Sequence, residues 1–342
     1  MSPVTRPRKA RSDVASKPPL VSIGLPVFNG MPYLPEALDS LLAQDEPNLE
    51  IVISDNASED GTEAHCRAVA ARDPRVRYSR NEVNQGAASN FQQVLSLSTA
   101  PYFAWAAHDD VYSRNFISSC LTVLRSRPES ALCVPAHRRI DEAGNLISVR
   151  REPPGLASPD LATRLNAHLA RRAWLTIYGL WRKEILIRVG PPLPVWGSDV
   201  ILVWRALLLA PIETIPAPLA DYRIFRSKTA DATISGIAAA ESRLHFPNTG
   251  MLRELRRASA GLDLSPETEE IAARVLRRWV FTHHFRQLAF ADLWVESRRS
   301  WGEGSRVRAL SLLPPMALLS PQMSLNGLRR VWRDHRGGRT AP

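Results

Sequence analysis

The acidic residues most able to do chemistry stand where apolar runs end. Asp109-Asp110 follows the run Tyr102-Phe-Ala-Trp-Ala-Ala. Two adjacent carboxylates repel each other unless positive charge lies close. An oxygen-loving divalent ion, Mn²⁺ or Mg²⁺, bridging to a diphosphate answers that need. The alternative is a polar turn leading into a helix from Ser113. Asp55 closes the run Glu50-Ile-Val-Ile-Ser and opens Asp55-Asn-Ala-Ser-Glu-Asp-Gly-Thr. Its carboxylate can accept a ring N–H from uracil or guanine, or it can belong to a capping turn with Ser58, Asp60 or Thr62. Asp199 stands in Trp196-Gly-Ser-Asp, directly before the apolar stretch Val200–Leu209. A carboxylate pressed against apolar surface has a raised pKa and can act as a base. An ordinary helix N-cap is the competing reading.

Other reactive residue types carry less. His108 and the pair His283-His284 lack the spacing of metal ligands. Cys66, Cys120 and Cys133 are scattered and read as free thiols, Cys120 and Cys133 within apolar runs of the core. There is no phosphate-binding Gly-Lys-Ser/Thr loop, no three-glycine dinucleotide fingerprint and no nucleophile elbow.

The elements that must position these acids alternate. Val21–Val27, Glu50–Ser54, Val76–Ser79, Tyr102–Ala107 and Ala131–Pro135 are rich in β-branched and aromatic residues and read as strands. Helical patterns lie between them: Leu34, Leu38, Leu41 and Leu42; the stretch to Arg72; Phe91, Val94 and Leu95; Phe116 to Leu124. Such alternation builds an α/β sheet with helices on both faces, and ligands bind beyond the carboxyl ends of its strands. Asp55 and Asp109-Asp110 both fall at such ends. Residues 138–175 are polar and read as an excursion from the sheet. From about residue 240 the pattern is mainly helical, with Ser265 as N-cap and Pro266 at the first helical position of one helix.

The chain has 342 residues, 44% hydrophobic and 23% charged, an ordinary globular composition. Its net charge of +10 points to an anionic partner: nucleic acid, an anionic membrane or a phosphorylated substrate. Residues 253–342 hold sixteen Arg and nine acids. No nucleic-acid motif or base-stacking platform accompanies them, so nucleic acid is not expected. The first 18 residues are basic and lack an apolar stretch, which reads as a disordered tail rather than a secretory signal. No apolar run reaches the roughly eighteen residues that span a bilayer. A cytoplasmic protein is expected, resting at most peripherally on the inner face of an anionic membrane.

These motifs, in this order, resemble family 2 glycosyltransferases. The resemblance rests on Val21-Ser-Ile-Gly-Leu-Pro-Val-Phe-Asn-Gly, Ile51-Val-Ile-Ser-Asp-Asn-Ala-Ser-Glu-Asp-Gly-Thr, Asn84-Gln-Gly with Asn90, Tyr102-Phe-Ala-Trp-Ala-Ala-His-Asp-Asp, Tyr178-Gly-Leu-Trp-Arg-Lys and Gly197-Ser-Asp199. It covers roughly residues 20–230. It implies a GT-A-type nucleotide-diphospho-sugar transferase fold, a Rossmann-like mixed sheet flanked by helices, over residues 19–235. A helical, Arg-rich region, 236–342, would follow.

By the resemblance, Pro26, Phe28, Asn29, Asp55, Asn84, Gly86 and Asp109 bind the nucleotide-sugar. Asp109 and Asp110 face the Mn²⁺ or Mg²⁺, and Asp199 is the catalytic base of an inverting transfer. The acceptor would be a saccharide or lipid-linked hydroxyl, in polysaccharide or glycoconjugate biosynthesis. Two departures stand out. Ala107 replaces the first acid of the family's Asp-x-Asp motif. Phe225 stands where many relatives carry a histidine near the diphosphate, leaving Arg223 or Arg226 to supply positive charge. Both departures favour the rival of a non-catalytic sugar-nucleotide or glycan-binding protein. A nucleotidyltransferase would need a Gly-rich basic loop after the first strand, which Asn29-Gly-Met-Pro does not provide.

Overall fold

Residues 18–171, 175–195, 197–225 and 247–279 are described by the computed structural model. His283-His284, Arg226, Trp196 and nearly all of the basic tail lie outside them, as does the chain beyond Trp279.

The expected alternation is present. β1 (Val21–Val27), β2 (Leu49–Asp55), β3 (Val76–Arg80) and β4 (Tyr102–Trp105) run parallel in the order β3-β2-β1-β4. Every residue of β1 and β2 is buried, as a parallel sheet covered on both faces requires. The strand pleat sorts the side chains. Val21, Ile23, Leu25 and Val27 share one core with Ile51 and Ile53, under α1 (Leu34–Leu42), α2 (Thr62–Arg72) and α4 (Phe116–Ser126). Val52, Phe103 and Trp105 point the other way, into the core beneath α3 (Ala87–Leu97), α5 (Leu161–Arg171) and α7 (Ser198–Leu209). Gly24 lets α3 close on the sheet, because a Cβ there would strike Phe103 and Val94.

Beyond β4 the sheet changes character. β8 (Leu180–Arg182) inserts antiparallel between β4 and β6 (Leu132–Ile140), and β9 (Ile212–Arg223) then runs parallel to β6. The two-residue β5 (Val111–Tyr112) pairs antiparallel with β9. This ladder fastens the segment directly after Asp109-Asp110 to β9.

Residues 138–175, expected as an excursion, contain ordered structure. β6 continues to Ile140, turns at Asp141–Asn145 and returns as β7 (Leu146–Arg150). The sequence hid this arm because β7 is mostly exposed and shows no buried alternation. Near its end the stretch becomes α5, which buries Leu165 and Leu169.

Two helices follow in the described C-terminal part. Pro247–Arg257 and Pro266–Trp279 contribute Met251, Leu255, Val275, Leu276 and Trp279 to the same core as Trp204 of α7. The second starts as expected: the Thr268 N–H donates to Ser265 Oγ at 3.2 Å, with Pro266 at the first helical position. Cys66, Cys120 and Cys133 are free and buried.

Candidate donor site

A cavity of about 470 Å³ opens beyond the carboxyl ends of β1, β2 and β4. From β1 comes Pro26, and from the residue just past its end Phe28, 43% exposed. Two loops are stitched together to hold this edge. The N–H groups of Asn29, Gly30 and Met31 donate to Ser58 Oγ, Thr62 Oγ1 and Asp60 Oδ2 at 2.9, 2.9 and 2.8 Å. Asn29 itself takes a left-handed φ of 50° and accepts the Glu59 N–H on its side-chain oxygen. It braces the loop and is not part of the cavity lining.

Asp55 sits beneath the lining. It is 0% exposed, and both its oxygens are engaged. The Ser58 N–H reaches Oδ1 at 2.9 Å; Tyr78 Oη and Arg80 Nη1 reach Oδ2 at 2.8 and 2.7 Å. Burial by itself would raise this carboxyl's pKa. The hydrogen bonds from Ser58, Tyr78 and Arg80 outweigh it and hold the group below its ordinary value. The cavity is met instead by Asn56, the next residue. Its amide donates to Asn84 Oδ1 at 2.7 Å, and its oxygen accepts from Asn81 at 3.0 Å and the Gln85 N–H at 2.9 Å. Asn84 lines the cavity as well. Gly86, at φ 84°, closes the turn before α3 by donating its N–H to Asn84 Oδ1. Asn90 lines the wall from α3, with its amide on the Ser54 and Val27 carbonyls. Its buried Oδ1 has no hydrogen-bond partner among the described residues.

Ala107, His108, Asp109 and Asp110 form the opposite side. Asp110 is 5% exposed, and its Oδ1 accepts the Arg223 N–H at 2.9 Å. Asp109 is more exposed, and its carbonyl accepts Arg223 Nε at 3.0 Å. Among the described residues no three His, Cys, Asp or Glu side chains converge as a metal cage. The two carboxylates that line the cavity are oxygen donors of the kind an ion shared with a diphosphate takes, which needs only one or two from the protein. Asp109 is the more exposed of the two, and Asp110 gives one oxygen to the β9 backbone. Of Arg223 and Arg226, the two candidates to offer charge to the diphosphate, only Arg223 lies among the described residues. Its side chain is 3% exposed and paired with Glu36 at 2.7 Å. Phe225 packs edge-on against Tyr33, centroids 5.4 Å apart.

Asp199 stands in the first turn of α7, outside the cavity lining. Gly197 before it adopts φ 76°, and a side chain there would also strike Met251. Burial pushes the Asp199 carboxyl up to about 7, against the downward pull of the Val200 N–H and its own. Tyr178 connects the two regions. It lines the cavity, packs edge-on to Phe91 at 6.5 Å, and feels the charges of Asp110, Asp109 and Asp199, which add to burial in raising its pKa. Behind α7, His168 Nε2 lies 2.9 Å from the Val200 carbonyl. A carbonyl only accepts, so Nε2 carries the proton. Burial lowers the His168 pKa to about 4, which keeps the ring neutral.

Sequence reasoning missed Asn56 and Phe91 as lining residues. The pleat offered a signal for Asn56: if Asp55 faces α2, its neighbour faces the opposite side.

A mixed α/β sheet of this order, with a carboxylate-bearing cavity beyond its parallel strand ends, is the GT-A glycosyltransferase architecture. At 16% identity, S. aureus TarS 1–349 in complex with UDP-GlcNAc superposes with a TM-score of 0.56 over 94% of this chain and 93% of that one. The mannosyltransferase PcManGT from Pyrobaculum calidifontis, in complex with GDP-Man and Mn²⁺, gives 0.51 at 17% identity over 96% and 86%. Residues 22–188 match the sequence model of Glycosyl transferase family 2. Chondroitin synthase from Escherichia coli is 30% identical over 170 residues, 48% of this chain and 25% of its own length. The chain spans about a quarter of the length of such curated relatives.

Proposed function

We propose that the protein transfers a sugar from a nucleotide-diphosphate donor to an acceptor hydroxyl with inversion. The observation that carries this is the pairing of two unlike carboxylate sites around Tyr178. Asp109 faces the cavity at a strand end, and Asp199 has its proton affinity raised to about 7. Pro26, Phe28, Asn56 and Asn84 would hold the nucleotide end of the donor. Asp55 supports that floor from below. A divalent ion held by Asp109 together with the diphosphate supplies charge neutralisation for the leaving group.

The remaining chemistry belongs to the chain. Ionised Asp199 takes the proton of the acceptor hydroxyl, whose oxygen bonds to the anomeric carbon as the bond to the diphosphate breaks. A single displacement inverts that carbon, and holding the two substrates in line supplies much of the acceleration. The bound nucleotides of the two solved structures support UDP or GDP as the donor nucleotide; dTDP is the third candidate. The chondroitin synthase relative supports a saccharide acceptor and a place in polysaccharide or glycoconjugate synthesis, with a lipid-linked saccharide as the variant. No helix among the described residues is long and apolar enough to cross a membrane. Arg256, Arg257, Arg277 and Arg278 are exposed on the C-terminal helices and suit peripheral contact with an anionic inner membrane face from the cytoplasm. Flotation with anionic but not neutral liposomes tests that contact.

Ala107 favours one rival, a binding protein that has lost turnover. Thermal stability with UDP, GDP and dTDP, each with and without Mn²⁺, tests the donor site by mass action. Nucleotide-specific stabilisation that needs Mn²⁺ and Asp109, followed by a product of inverted configuration, is expected. Stabilisation without any turnover favours the rival, and a retained configuration rules out the single displacement.

A further inference from the structure

Arg223, the last residue of β9, has a guanidinium consumed by the protein itself. A guanidinium offers five N–H donors. Nε donates to the Asp109 carbonyl at 3.0 Å. Nη1 donates to the carbonyls of Asp141 and Glu142 at 3.3 and 3.1 Å, and Nη2 to Glu36 Oε2 at 2.7 Å. The Tyr33 ring lies under its face, 4.6 Å from Cζ to the centroid. Its backbone N–H meanwhile holds Asp110 Oδ1 at 2.9 Å. One residue thus joins the Asp109-Asp110 turn, the β6–β7 turn and α1. Arg223 lines the cavity, but its side chain is only 3% exposed and four of its five guanidinium N–H groups are spent on the protein. What it does is geometric.

We propose that Arg223 is a positioning residue of the donor site, a latch that fixes the Asp109-Asp110 turn so that the Asp109 carboxylate meets a diphosphate-bound ion at one place. The proposal rests on the donor-site reading above. The carbonyl of Asp109 is gripped from β9 while its carboxylate belongs to the cavity side, so the latch sets where that carboxylate stands without competing for the ligand. The β5–β9 ladder holds the turn from its far end, through Val111 and Tyr112. The near end is held by Arg223, whose Nε donates to the Asp109 carbonyl and whose backbone N–H donates to Asp110 Oδ1. Lysine preserves the charge but cannot reproduce a planar fork with carbonyls at two of its nitrogens and a carboxylate at the third. Groups that orient a metal ligand typically cost 10–100-fold in metal affinity when they are removed.

The test compares wild type, Arg223→Lys and Glu36→Gln, with folding checked by circular dichroism and melting temperature. UDP and GDP affinities are measured with Mn²⁺ and with EDTA, and hydrogen exchange is followed over residues 107–112. Arg223→Lys is expected to weaken the Mn²⁺-dependent part of binding at least about tenfold. Binding in EDTA stays unchanged, and exchange in the 107–112 turn accelerates. Glu36→Gln keeps one hydrogen bond and shows the same pattern at smaller amplitude, so it carries the test if Arg223→Lys does not fold. Wild-type Mn²⁺ dependence and wild-type exchange in both variants overturn the latch. Equal losses with and without Mn²⁺ overturn it too, because they place the cation on the diphosphate directly. If wild type binds no nucleotide, the donor-site reading falls, while the exchange rates still report whether Arg223 holds the turn.

Discussion

Asp55 and Asp199 are both carboxylates set against the interior of one fold, yet their protons are held in opposite ways. Asp55 ends β2 with no exposure, and burial alone would favour its neutral form. Ser58, Tyr78 and Arg80 surround it with donors and reverse that preference. Asp199 stands in the first turn of α7, where burial wins over the pull of the Val200 N–H and its own. The difference teaches that burial does not decide the protonation state of a carboxylate; the donors that come with it do. Two acids whose environments push their pKa values apart have divided their roles: a permanent anion that braces a loop, and a group poised to exchange a proton near neutrality.

The comparison can be broken most sharply at Asp199. Asp199→Asn should lower kcat by about 10²–10⁴-fold, the usual worth of a general base, with nucleotide affinity unchanged. A variant that turns over like wild type removes Asp199 from the reaction. Arg80→Ala attacks the other member of the pair. It strips a 2.7 Å charge-assisted hydrogen bond from a fully buried carboxylate and should lower the urea unfolding midpoint. An unchanged midpoint would mean that Tyr78 and Ser58 suffice.

Acidity sharpens the contrast further. As the proposed base, Asp199 would act in its ionised form, so kcat should rise with pH up to about 7 and level off above it; a flat profile from pH 5.5 to 8.5 contradicts the assignment. Stability follows a different group over the same range. Burial lowers the His168 pKa to about 4 in the folded protein, below the ordinary 6.5. Its contribution is therefore full above 6.5 and is lost as the pH falls toward 4. His168→Gln should flatten that part of the stability curve and leave the position of the kinetic limb near 7. The smallest effect is expected at Ala107→Asp, which adds a carboxylate beside Asp109 and should tighten Mn²⁺ about threefold. Weaker Mn²⁺ binding would show that the Ala107 N–H contact to Tyr112 Oη, at 3.3 Å, sets the turn more than charge does.

Much of this was legible in the residues themselves. The β-branched runs and leucine spacings named the parallel half of the sheet, the strand-end rule put Asp109-Asp110 at the mouth, and Ser265-Pro266 marked a helix start that the structure contains. What could not be read depends on distant partners. Asp55 has the same local pattern whether it faces a base or Arg80. Arg223 looks like any basic residue until β9 brings it against Asp109 and Glu36. β8 is three residues long and runs against its neighbours, and β7 hides in a polar stretch because its sides meet solvent. Short or exposed elements carry too little periodicity to announce themselves.

Gly197 has one more consequence. Its left-handed backbone and its closeness to Met251 make the helix Pro247–Arg257 a wall of the turn that presents Asp199. In engineering terms, the linear border near residue 235 is a poor place to cut. A chimera joined there would exchange the floor beneath the proposed base along with the tail, and a substrate preference transplanted with the first part alone would arrive without its trigger.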